Sequence, residues 1–179
     1  MKKKLITFLG IMSIGTFSWH SILTVQYFLG LMPHNIGMTI SGFAFVFFLT
    51  MHMVLTLIDI IKTTKRTSNE KFYINYSFEQ ALQNMSGLFI FGFAVLHAVF
   101  IELHKAFGTQ IFSICWWLTD ILLFLCISIH LCITLPHVMI SCGIVTNRKL
   151  YNFIKIIIYI VSVSLFVLLT YAHTVFTFA

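Results

Sequence analysis

The chain has 179 residues, of which 59% are hydrophobic and only 9% charged, with a mean hydropathy of +0.98. Soluble domains carry about 25% charged residues, so the composition excludes a soluble globular protein and describes an integral membrane protein. The net charge of +6 would suit nucleic acid only as a patch, but the basic residues are divided among the ends of apolar segments.

Five apolar stretches follow in chain order, roughly 5–29, 37–61, 81–104, 111–142 and 152–178. Each meets the requirement of about 20 residues for a spanning helix. The expected fold is all-α: one transmembrane domain over 1–179, built as a five-helix bundle. Little chain remains for loops, so chemistry on a water-soluble substrate would fall to a partner subunit.

Lys2, Lys3 and Lys4 precede the first stretch, which contains Gly10, His20 and Gln26. A basic start before an apolar run also describes a signal peptide, but the run outlasts the usual apolar core and no A-x-A site follows it. It is expected to stay as a helix. His34 falls in a short loop, and the second stretch holds Gly42 and His52. Lys62, Lys65, Arg66 and Lys71 come next, then the third stretch with Gly87 and His97, followed by Glu102, His104 and Lys105. The fourth stretch carries Asp120, His130, Pro136, His137 and all four cysteines, Cys115, Cys126, Cys132 and Cys142, none in a CxxC or CxxCH motif. Arg148, Lys149 and Lys155 surround the start of the fifth, and His173 near its end reads as a solvated interfacial histidine. If the stretches alternate in direction, every Lys and Arg except Lys105 falls on one side. The positive-inside rule then puts the N-terminus in the cytoplasm and the C-terminus outside, in the cytoplasmic membrane.

His20, His52, His97 and His130 lie within four different apolar stretches. An imidazole at bilayer depth is costly without a partner, and haem iron is one partner that neutral imidazole serves as an axial ligand. With a rise of about 1.5 Å per residue, His20 and His97 lie about 22 and 24 Å from the inner ends of their stretches. His52 and His130 lie about 13 and 18 Å from theirs. The four thus sort into an outer pair, His20/His97, and an inner pair, His52/His130, as two b-type haems would need. Packing or proton relay is the other use of a membrane histidine. Glycine stands ten residues before three of the four, as Gly10, Gly42 and Gly87, and two stretches read alike, SGFAFVFFLTMH at 41–52 and SGLFIFGFAVLH at 86–97. Such glycines would give clearance to a macrocycle edge or allow close helix packing. His137 competes with His130 as inner ligand or bonds a haem propionate or lipid headgroup.

The stretches QNMSGLFIFGFAVLHAVFIELHKAFG at 83–108 and SIHLCITLPHVMISCGIVTNRKLYNFIKIIIYIVSVSLFVLLTYAHTVFTF at 128–178 resemble the five-helix dihaem cytochrome b subunit of succinate:menaquinone oxidoreductases and fumarate reductases. The resemblance is carried by about half the chain; over the first 80 residues it rests on helix order and on His20 and His52. It implies one axial histidine from each of the first four helices, with His20/His97 on the outer haem and His52/His130 on the inner one. It further implies a flavoprotein subunit with covalent FAD and an iron–sulfur subunit on the cytoplasmic face, with electrons passing between its clusters, the haems and a quinone, menaquinone by the family. The chain itself would not bind succinate. It departs from the family where Asn84 and Met85 precede Ser86 in place of a basic residue, and in its short first loop.

Quinone chemistry couples electrons to protons and needs polar or titratable groups. Gln26, His34, Glu102, His104 and Asp120 supply them at the outer ends of the helices, although Glu102 and His104 also suit a plain interface with Lys105. Two other classes stay open. One is a cytochrome b of a hydrogenase or another respiratory dehydrogenase; the other is a non-redox membrane protein with relay histidines.

Overall fold

A computed structural model describes residues 2–67 and 78–178. Among the described residues five helices run in chain order: α1 (Lys2–Phe28), α2 (Ile36–Thr67), α3 (Phe78–Phe107), α4 (Gln110–Ser141) and α5 (Arg148–Phe178). All five are long and apolar enough to cross a membrane, and among the described residues the fold is all-α. The apolar cores stand where expected, but α2 runs on to Thr67 and α3 starts at Phe78. Both additions are polar turns beyond the apolar core, where Lys, Arg, Glu and Gln are good helix formers. Lys71, among the inner-side basic residues, lies outside the described residues.

The helix ends are set by local chemistry. Asn35 Oδ1 accepts the Met38 backbone N–H at 3.1 Å, and Asn147 Oδ1 accepts that of Leu150 at 2.8 Å. Each caps an otherwise orphaned donor of a first turn. α3 stops at Gly108, whose φ of 60° is open to glycine and costly for other residues; its N–H donates to His104 O at 2.8 Å. α4 starts two residues later, so α3 and α4 are joined by a minimal turn.

The chain divides into two compact units. One comprises residues 1–24 and 34–81, hence most of α1 with α2; the other comprises 25–33 and 82–179, hence the end of α1 with α3, α4 and α5. In the first unit Phe17 and Phe45 pack with ring centroids 5.3 Å apart. In the second, α4 packs on α5, helped by Trp117 Nε1–H donating to Thr174 Oγ1 at 3.0 Å and Ser128 Oγ–H to Ser162 O at 3.2 Å.

Burial runs opposite to the soluble pattern. On α5 the buried residues are Ile158, Ser162, Leu169, Ala172 and His173, whereas Ile156, Ile160, Val163 and Val167 are exposed. Elsewhere Ser13, Ser41, Ser86, Thr119, Asp120 and Ser128 are buried. Lipid accepts apolar side chains, while polar groups must find partners inside the protein. The chain is therefore a multi-spanning membrane protein.

Candidate functional site

In the first unit α1 and α2 exchange histidines. His20 of α1 reaches α2, where its Nδ1 lies 3.0 Å from Met38 O and 3.2 Å from Ser41 Oγ. His52 of α2 reaches α1, where its Nδ1 lies 2.9 Å from Ile6 O. The receiving positions are the glycines. A Cβ on Gly42 would stand 3.1 Å from His20 Cε1, and one on Gly10 would stand 3.2 Å from His52 Cε1. Each ring thus lies flush on the neighbouring backbone and bonds the carbonyl four residues before the glycine. Along α1, Gly10 and His20 mark two levels about 15 Å apart.

The second unit repeats the arrangement with α3 and α4. His130 of α4 lies on Gly87, where a Cβ would come within 3.3 Å of its Cε1. Its Nδ1 is 3.2 Å from Gln83 O and 3.1 Å from Ser86 Oγ. Gln83 again precedes the glycine by four residues and Ser86 by one, the offsets of Met38 and Ser41 from Gly42. Ser41 and Ser86 each donate to the same carbonyl that faces the imidazole, at 3.0 Å. In the structure, then, the room over the three glycines is taken by imidazole rings.

The fourth histidine departs from this pattern. His97 of α3 faces Asp120 of α4, its Nδ1 2.5 Å from Oδ1. Asp120 is only 1% exposed, and its Oδ2 lies 3.1 Å from Nδ1 of His173 on α5. His173 is fully buried, so the expectation of a solvated interfacial residue is corrected. Near the end of α5 its ring turns inward, stacks on Phe28 at 4.6 Å and packs against Trp116 at 4.8 Å. Phe28, Trp116 and Ala172 form the apolar cluster around it.

All four histidines therefore present one chemistry: Nδ1 is held by a protein oxygen on the paired helix. An imidazole whose Nδ1–H is donated carries its lone pair on Nε2, the tautomer and orientation typical of metal-ligating histidine. The four rings fit axial haem ligation on that ground. Among the described residues no group of three or more His, Cys, Asp or Glu is arranged as a cage for a free metal ion.

The other candidates are more scattered. Glu102 is exposed and bonded to Lys105 Nζ at 2.8 Å, one turn along the same helix. His104 Nδ1 lies 3.0 Å from Ser113 Oγ, beside Trp116. Gln26 is half-buried, and its backbone carbonyl closes the end of α1 by accepting from Leu31. His34 and His137 are exposed. Asp120 is joined to His97 but not to Glu102, which sits in the exposed ion pair.

Sequence reasoning missed His173 as the second partner of Asp120, and Ser41 and Ser86 as supports. One signal was present: Asp120 precedes His130 by ten residues, the spacing of the three glycines from their histidines. No family model, curated protein or solved structure matches the chain.

Proposed function

We propose that this chain is a dihaem cytochrome b, the membrane-anchor subunit of a succinate dehydrogenase or fumarate reductase that exchanges electrons between an iron–sulfur subunit and a membrane quinone. One observation carries the proposal: four imidazoles inside four spanning helices, each with Nδ1 bound to a protein oxygen, two in each helical hairpin. His20 with His97 and His52 with His130 would hold the two haems, the pairs that depth along the sequence and the resemblance suggest. Bound there, two b haems would supply one-electron redox steps through the apolar layer.

The chain's own contribution is to prepare and shield the ligands. The carbonyls facing His20, His52 and His130 and the carboxylate facing His97 would favour one tautomer and ring angle before any metal arrives, so less conformational entropy remains to be lost on ligation. The glycines bring the neighbouring backbone to the ring and leave no room for water on that side. The exposed apolar faces give attachment to lipid.

The assignment to a succinate:menaquinone system rests on the resemblance of 83–108 and 128–178. It brings the flavoprotein with FAD and the iron–sulfur clusters as partners at the cytoplasmic face, with the N-terminus inside. The basic residues Lys62, Arg148 and Lys149 suit such a face. The same reading expects the quinone at the outer end, near Gln26, Glu102, His104 and Asp120. Succinate chemistry belongs to the partner.

A second reading draws on Asp120 between His97 and His173: a non-redox membrane protein using these groups as a proton relay. The purified protein decides between the two. A reduced-minus-oxidised spectrum with b-type bands and two haems per chain is expected. A haem-free protein from cells supplied with haem refutes the cytochrome reading.

A further inference from the structure

At the position ten residues before the helix's own histidine, α1, α2 and α3 have glycine; α4 has Asp120. Three imidazoles thus donate to neutral carbonyl or hydroxyl oxygens, and His97 alone donates to a carboxylate. A carboxylate at bilayer depth is expensive and persists where it is partnered. Here one oxygen meets His97 and the other lies 3.1 Å from Nδ1 of His173, whose ring stacks on Phe28 and packs against Trp116. The short hydrogen bond thus aims the buried carboxylate at His97, with His173 beside its second oxygen.

We propose that Asp120 is a positioning residue for His97 that makes it electronically unlike the other three ligands, lowering the midpoint potential of the haem it serves. The inference rests on the cytochrome reading and deepens it. A hydrogen bond to an ionised acceptor is about twice as strong as a neutral one. Drawing the Nδ1 proton toward the carboxylate makes Nε2 a stronger donor to iron, and a stronger donor favours ferric over ferrous iron. Hydrogen bonding to the axial ligand is one of the levers by which a protein sets haem potential. The same place in the other three helices offers no side chain at all, so the asymmetry is built into one residue.

The test is a redox titration of the haem-loaded full chain, with electron paramagnetic resonance of the ferric haems, on wild type, Asp120→Asn and Asp120→Glu. Asparagine keeps an oxygen that accepts from His97 but removes the charge. The midpoint of one haem should rise in Asp120→Asn, with its ferric signal changed and the other haem unmoved. Asp120→Glu, which keeps the charge, should stay nearer the wild-type potential. If Asp120→Asn fails to hold that haem, retention at near wild-type potential in Asp120→Glu supports the role, and loss in both overturns it. Unchanged potentials, a fall, an equal shift of both haems, or the same shift in both variants also overturns it. A wild type with no haem would instead remove the reading on which it rests.

Discussion

Adding one methyl group to a seat glycine should be felt by the histidine that lies on it. At Gly42 a Cβ would stand 3.1 Å from His20 Cε1, closer than ordinary van der Waals contact, and 3.4 Å from its Nδ1. The ring must back away by a few tenths of an ångström, yet it is held by Met38 O at 3.0 Å and Ser41 Oγ at 3.2 Å. Overpacking a fitted site costs about 1–3 kcal/mol, while alanine in place of a mid-helix glycine returns about 0.5–1 kcal/mol. The net loss of fold stability is about 0–2.5 kcal/mol, and relative to alanine at a glycine with open space above it the loss is the full overpacking cost of about 1–3 kcal/mol. Gly10→Ala and Gly87→Ala should behave alike, since the imidazoles of His52 and His130 lie at 3.2 and 3.3 Å. Gly15 and Gly92 are the controls: a Cβ there meets nothing within 4 Å, so only the helix gain remains. The assay is haem retention and thermal unfolding in detergent for all five variants. If the three seat variants match Gly15→Ala and Gly92→Ala, the glycines do not seat the histidines.

Three further outcomes follow from the same geometry. Ser41→Ala and Ser86→Ala each remove one hydrogen bond to an imidazole that keeps its carbonyl partner, so thermal unfolding should record a loss of about 0.5–1.5 kcal/mol with both haems retained. Loss of a haem in either would make the serine the main support. His173→Ala removes the ring beside Oδ2 of the buried Asp120 carboxylate and should cost about 1–3 kcal/mol in the same measurement; a near-neutral change would show that His173 does not support the carboxylate. Glu102→Gln breaks only an exposed pair, worth about 0–1 kcal/mol, so stability and haems should persist while quinone-linked turnover slows. Normal turnover would move the quinone site away from Glu102.

The five helices were legible because runs of apolar residues of spanning length have one stable solution in lipid. The four histidines were legible because imidazole is out of place there. The arrangement of α5 was less so: Ile156, Ile160, Val163 and Val167 differ little in hydropathy from buried Ile158 and Leu169, and only the less apolar Ser162, Ala172 and His173 mark the inward face. His173 near the helix end consequently looked interfacial, although it lies beneath Phe28. The glycines were visible, but what lay over them depended on the partner helix; the offset of four residues to Met38, Ile6 and Gln83 emerges only once α1 meets α2 and α3 meets α4. Asp120 drew notice as a carboxylate in a spanning segment, and its equivalence to the glycines needed the same pairing.

The central claim is that the four histidines form two axial pairs, and single-ligand substitutions read by low-temperature difference spectra test it most directly. His20→Ala and His97→Ala should each remove the same one of two spectrally distinct b haems, and His52→Ala and His130→Ala should each remove the other. Loss of one common component in all four variants, or retention of both haems in any of them, would contradict the account.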